Sequence, residues 1–421
     1  MEACMDALTL DRPQVRHQAP NQPSGAASMS EAVAALGANK ALGAPSFDDP
    51  IKVDLAALNQ MLHFCLDNGA DDLLLMAGAP WAVIWSDKVC RVGTRALYVE
   101  ELEQLLVEMT GNANAHIDIG RAEDLDFTYA LRVQRGRNVR FRCNATGCLG
   151  TNGQRGIEIV ARPTGKVPPT MLELDLPAYI RDAAMPKAGI VLICGPTGSG
   201  KTTLLDAIMR GQATREEGQH ILTYYAPVEN DLNIIPDCTG LISQCEIGKA
   251  GYGANLKSFA AATRNSLRRH PMVIAYGEAR DPETIEGAVL SAMTGHATYT
   301  TTHTSNVHMA IPRMADAFSG ADRSRVANGL IDQSRLIVHQ RLVARPNGIG
   351  RSPVRSALVL TQDIRTELLR TNIDHLPIAM FEAVKAHGID LLKDAEAQFS
   401  AGKIHERELY AIESEMKAGV F

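Results

Sequence analysis

Residues 194–205 read CGPTGSGKTTLL, with glycines, a lysine and two threonines set between an apolar run and a helix-like run. Gly195, Gly200, Lys201 and Thr202 satisfy G-x-x-x-x-G-K-[ST], the pattern of a loop that holds phosphates. Backbone N–H groups from Gly195, Pro196's neighbours Thr197 and Gly198, Ser199, Gly200 and the following Lys201, Thr202 and Thr203 can converge on an anion at a helix N-terminus. Lys201 would add positive charge at the β- and γ-phosphates of ATP, and the Thr202 hydroxyl would ligate Mg²⁺. The alternative reading is a glycine-rich turn without a ligand. The apolar IVLIC before the loop and the helical TLLDAIM after it argue against that.

Hydrolysis also needs a group that orients or deprotonates water. Glu278 in MVIAYGEARD follows an apolar strand-like run, where such an acid belongs, whereas Asp281, Glu283 and Glu286 read as helix N-terminal charge. His296 and His303 bracket a strand-like ATYTTT, with hydroxyls around both, and are candidates for the same site. Glu229, in TYYAPVE, is a further acid to weigh.

These residues need a frame. The 421-residue chain is 45% hydrophobic and 21% charged, which fits globular domains with sizeable cores. A net charge of −6 argues against direct nucleic-acid binding. Its only support is one arginine-rich hairpin (Arg132, Arg135, Arg137, Arg140, Arg142), a pattern more often found in a solvated or subunit-facing strand. The eight cysteines are scattered with no C-x-x-C pair, as expected of a reducing cytoplasm rather than a zinc site or disulfide framework. The N-terminus lacks the basic and apolar regions of a signal peptide, and apolar runs such as GIVLICG fall short of the ~20 residues of a spanning helix.

Patterning divides the chain into a flexible leader (1–48, with a short helix at 30–36), an α+β domain (49–164), a proline-rich hinge (165–180), an α/β domain (181–365) and C-terminal helices (366–421). In the first domain, LAALNQMLHFCLDNG and YVEELEQLLVEMTG read as helices closed by Gly69 and Gly111. DDLLLMAG and PWAVIWSDKVCRV read as two strand pieces, and residues 126–147 as a hairpin turning at Arg135–Asn138. In the α/β domain, GIVLIC, HILTYY, MVIAYGEAR, ATYTTTH and LIVHQRLV predict a mostly parallel sheet covered by helices.

GPTGSGKTT, GEARD and TGHATYTTTHTSN together resemble the Walker A, Walker B and His boxes of the PilT-like secretion ATPase superfamily. RFRCNATGCLG and VPPTMLELDLP are most similar to its DotB/TraJ branch, the ATPases of type IVB secretion and plasmid conjugation. The resemblance implies a RecA-like P-loop motor behind a PAS-like N-terminal domain, assembled as a homohexamer. It would work in the cytoplasm, peripheral at the inner membrane through secretion-channel or inner-membrane partners, with no direct contact to nucleic acid. The resemblance also implies arginines acting across the subunit boundary, for which Arg142 and Arg162 are the candidates. One departure stands out. The family's acidic box runs Thr-hydrophobic-Glu-Asp-Pro-hydrophobic-Glu, and here Tyr225 and Ala226 replace the acid pair, leaving Glu229. This predicts either slow hydrolysis or the whole load on Glu278. A ring subunit that binds nucleotide with little turnover is the corresponding alternative; a pilus-retraction or type II secretion motor is another.

Overall fold

The computed structural model describes residues 46–418 apart from 86, 87, 152, 166, 250, 251, 348 and 349, and apart from the Arg137 side chain. The expected leader therefore lies outside the described residues except at its end, and its helix wholly so. At that end Phe47 donates its N–H to Val92 O at 2.7 Å and packs edge-on against Phe64 and Trp81. The chain joins the fold by this aromatic residue.

The first sheet has six strands in the order β3-β2-β1-β6-β5-β4. They are β1 (Asp72–Met76), β2 (Ala82–Trp85), β3 (Lys88–Arg91), β4 (Leu125–Gln134), β5 (Arg137–Leu149) and β6 (Arg155–Pro163). Neighbours are antiparallel throughout. The second strand piece read from the sequence is thus a hairpin of β2 and β3. Helices α1 (Leu55–Asn68), α2 (Val99–Thr110) and α3 (Ala115–Gly120) complete this unit. Asp54 caps α1 by accepting from Ala56 and Ala57, and Gly69 ends it at φ 66° in the left-handed region. Leu58, Leu62, Leu102, Leu105 and Leu106 from the helices meet Leu73, Phe127, Phe141 and Ile159 from the strands in one core.

After the prolines, α4 (Ala178–Ala183) leads into a seven-stranded mixed sheet of order β13-β12-β7-β11-β10-β8-β9. Its strands are β7 (Gly189–Cys194), β8 (His220–Tyr225), β9 (Leu241–Glu246), β10 (Val273–Tyr276), β11 (Ala297–Thr302), β12 (Ser334–Ala344) and β13 (Arg351–Val359). All pairings are parallel except β12 with β13. The helices between them are α5 (Lys201–Ala213), α6 (Phe259–Ser266), α7 (Pro282–Met293), α8 (Ala310–Ala315) and α9 (Gly320–Gln333). β7 is buried at every residue because helices cover both faces. Val191 and Ile193 pack with Leu204 and Ile208 of α5, whereas Ile190 and Leu192 pack with Ile285 of α7 and Leu330 of α9. Four helices follow: α10 (Gln362–Arg370), α11 (Leu376–His387), α12 (Leu391–Ser400) and α13 (Glu406–Lys417). No helix among the described residues is long and apolar enough to cross a membrane.

Contacts between the two units include the end of β9 and the segment after it. Thr128 Oγ1 donates to Glu246 Oε2 at 2.8 Å, Lys249 pairs with Asp118 at 3.1 Å, and the Tyr252 hydroxyl donates to Asp118. Tyr252 is buried within the core of the first unit.

Candidate functional site

In a parallel sheet, ligands are met at the carboxyl ends of the strands, where loops lead into helix N-termini. The phosphate-type loop leaves β7, the segment bearing Glu229 leaves β8, Glu278 follows β10, and His303 follows β11. Parallel register aligns these ends, with Tyr276 beside Tyr224 and Thr300, and Thr302 beside Cys194. The topology therefore delivers all four segments to one edge. His296 begins the other end of β11, which a six-residue strand puts roughly 20 Å away. There its Nδ1 sits 2.9 Å from Ser291 O and 3.0 Å from Thr294 Oγ1. The structure does not bring His296 to the loop.

Gly200 caps α5 at φ 81°, a left-handed conformation that lets the loop turn into the helix. A Cβ at Gly195 would stand 2.3 Å from Gln340 O, so only glycine allows the backbone to pass there. Lys201 is 8% exposed and Nζ donates to Gly195 O at 2.8 Å and Pro196 O at 2.9 Å. It also lies 3.3 Å from His303 Nδ1. With Nδ1 accepting, the ring hydrogen rests on Nε2, 3.6 Å from Glu278 Oε1. Burial pulls the Lys201 pKa down, against the opposing charges of Glu278 and Glu229. The Glu278 loop is itself pinned: Gly277 N donates to Tyr224 O at 2.8 Å, and Thr301 Oγ1 to Gly277 O at 2.6 Å.

Thr202, Lys201, Glu229, Glu278 and His303 line one cavity of about 220 Å³. Thr197, Gly198 and Ser199 border a second of about 470 Å³, with His303, His339 and Arg341. Among the described residues, Ser199 Oγ and His339 Nδ1 in its lining are buried without a hydrogen-bond partner, and burial lowers the His339 pKa to about 4. Among the described residues no cluster of three or more His, Cys, Asp or Glu forms a metal cage. A hydroxyl with facing carboxylates beside an anion loop is instead the donor set that suits Mg²⁺, which keeps waters and shares phosphate oxygens.

Two supports of this site were not singled out from the sequence. Gln340 Nε2 donates to Ser199 O at 2.8 Å and its Oε1 accepts from Arg355 Nε at 2.8 Å. Arg355 also reaches Leu174 O, and its N–H is accepted by Asp394. This buried chain ties the loop to the proline-rich segment and the C-terminal helices. The other support is Asp206 on α5, fully buried, whose carboxylate accepts from Tyr225 and Asn230. Both polar sets sit in apolar-looking elements, so no sequence signal marked them.

The two arginines read as boundary residues each meet a carboxylate of their own chain. Arg162 is bidentate on Asp72 at 2.6 and 2.7 Å, and Arg142 Nη1 lies 3.8 Å from Glu229. In the hairpin, Arg132 lies on β4, and Arg137, Arg140 and Arg142 lie on β5.

The profile of the type II/IV secretion system protein family matches residues 130–370, more than half of the chain. The chain belongs to that family. It is accordingly a secretion ATPase and binds ATP. The type IV pilus retraction ATPase PilT of Pseudomonas aeruginosa is 29% identical over 79% of this chain and 89% of its own length. The type IV pilus ATPase PilU of the same organism is 30% identical over 75% and 78%. Among solved structures, the Legionella pneumophila ATPase DotB superposes with a TM-score of 0.80 at 32% identity, covering 88% of this chain and 99% of that one. The retraction motor PilT with bound ADP gives 0.71 at 25% identity, covering 86% and 96%. The antiparallel first sheet and mixed second sheet of this secretion ATPase follow the architecture of those proteins.

Proposed function

We propose that this secretion ATPase is a RecA-like motor with a PAS-like N-terminal unit that energises type IVB secretion or conjugative transfer. It would act as a homohexamer in the cytoplasm, held at the inner membrane through channel partners. The observation that carries the reading is the convergence of Lys201, Thr202, Glu278, Glu229 and His303 on one cavity at the end of β7. The likeness to DotB over nearly its whole length supports the choice of branch.

In this reading the loop N–H groups and Lys201 hold the β- and γ-phosphates, and the neighbouring 470 Å³ cavity has room for the nucleoside. Mg²⁺, ligated by Thr202, would neutralise phosphate charge. Glu278 orients or deprotonates the attacking water, and His303 holds Glu278 and Lys201 in their relative places. Purified protein should release phosphate from ATP with Mg²⁺. Lys201→Ala should abolish this release, and Glu278→Gln should lower it by ~10²-fold or more while ATP still binds. Parent-rate hydrolysis by the Lys201 variant would overturn the site assignment.

The likeness to PilT supports a second reading, a pilus-retraction or type II secretion motor with the same chemistry. Complementation separates the two: restored effector or plasmid transfer supports the first, and restored twitching supports the second.

A further inference from the structure

Asp206 stands in the second turn of α5 and has no solvent exposure. Tyr225 Oη donates to its Oδ1 at 2.9 Å and Asn230 Nδ2 to its Oδ2 at 2.7 Å. The two donors flank Glu229 in the chain, so the carboxylate grips both ends of the segment that carries it. On the outer side the same segment is held by Gln244 of β9, which donates to Asn230 O at 2.9 Å. Val228 enters the core beside α5. Between these fixed points Glu229, half exposed and 3.8 Å from Arg142, lines the same cavity as Thr202.

A buried carboxylate is costly, and here burial pushes the Asp206 pKa up to about 7, the two donors opposing and the Glu229 charge adding to the rise. A leucine would fill this place at lower cost to the fold. What the carboxylate supplies is two directed hydrogen bonds.

We propose that Asp206 is a positioning residue for ATP hydrolysis: it fastens Tyr225 and Asn230 to the phosphate-loop helix and so fixes where the Glu229 carboxylate stands. The tyrosine that replaces the family's first acid is then part of this device. Its hydroxyl turns to a carboxylate supplied by α5. The inference rests on the reading that ATP is hydrolysed in this cavity.

The test compares steady-state ATP hydrolysis of the full chain and its variants. Asp206→Ala should lower kcat by about 10- to 100-fold, as small displacements of reacting groups do, with KM for ATP changed less than about threefold. Asp206→Asn, which can still bond to both partners, should recover at least about a third of the parent kcat. In a Glu229→Gln background, Asp206→Ala should have little further effect, because its action runs through Glu229. Additive losses in that background, or equal losses in the Ala and Asn variants, would overturn the proposal. Should Asp206→Ala not fold, Tyr225→Phe with Asn230→Ala removes both donors at small change in core volume and should reproduce the kcat loss. A parent kcat in that pair would equally overturn it. Failure of the underlying reading looks different: there Lys201→Ala would hydrolyse ATP as the parent does.

Discussion

His303 stands between Lys201 and Glu278, with Nδ1 3.3 Å from the Lys201 ammonium and Nε2 3.6 Å from the Glu278 carboxylate. The other two Lys201 contacts are backbone carbonyls of the loop itself. All three ammonium hydrogens therefore have acceptors within the chain. Replacing His303 by Ala removes one competing acceptor and the lateral support of Glu278. The expected outcome is a kcat about 10-fold lower or more with no rise in KM for ATP. A raised KM at parent kcat would assign His303 to nucleotide binding instead.

Restoring the family's acid pair with Tyr225→Glu and Ala226→Asp tests how the altered box is built. Of the two readings the sequence leaves open, slow hydrolysis makes the natural box a brake, and on that reading the pair should speed turnover. Because the Tyr225 side chain is 2% exposed and bonded to Asp206, a glutamate there sets two carboxylates together in the core. The double variant should lose about 2 kcal/mol or more of stability and hydrolyse ATP more slowly. Adding Asp206→Ala removes the clash and should regain part of that stability, read by thermal unfolding. Faster turnover in the double variant without loss of stability would restore the brake.

Arg142 and Arg162 separate by what they leave behind. Asp72, with its side chain 4% exposed, becomes a buried unpaired carboxylate in Arg162→Ala, at a cost of about 1–3 kcal/mol in unfolding. The pair of Arg142 with Glu229 is open to solvent, with side chains 38% and 44% exposed, so Arg142→Ala should cost under about 1 kcal/mol. Mixed assemblies of Arg142→Ala and Lys201→Ala chains show where Arg142 acts. Recovered activity means that it reaches a neighbour's site. No recovery, with subunit exchange verified, means that it serves its own chain, as the contact to Glu229 favours.

The Asp206 pKa of about 7 gives a pH signature. Between the ordinary carboxylate range and about 7, the folded chain keeps a proton that the unfolded chain has released. This contribution to stability is present at low pH and is lost as pH rises through about 7. Asp206→Asn has no such proton to lose. From pH 5 to pH 8 the nucleotide-free parent should therefore lose melting temperature relative to the Asn variant. A constant difference between the two across that range would show that Asp206 does not titrate there.

The sequence by itself determined the parts whose signals are local. Gly69 and Gly111 closed their helices, alternating and continuous apolar runs marked β7, β8, β10, β11 and β12, and the spacing of Gly195, Gly200, Lys201 and Thr202 marked the phosphate loop. It left β6, β9 and β13 unread: β9 and β13 are the two edge strands of the second sheet, paired on one side only, and β6 is set between β5 and the distant β1. Only the tertiary structure decided what meets what. Parallel register carried Glu229, Glu278 and His303 to the loop and left His296 at the far end of its strand. It also buried Asp206 beneath Tyr225, and Arg355 behind Gln340, where polar groups must find partners because water cannot reach them. Such partnerships join residues far apart in the chain, and no spacing within a single element records them.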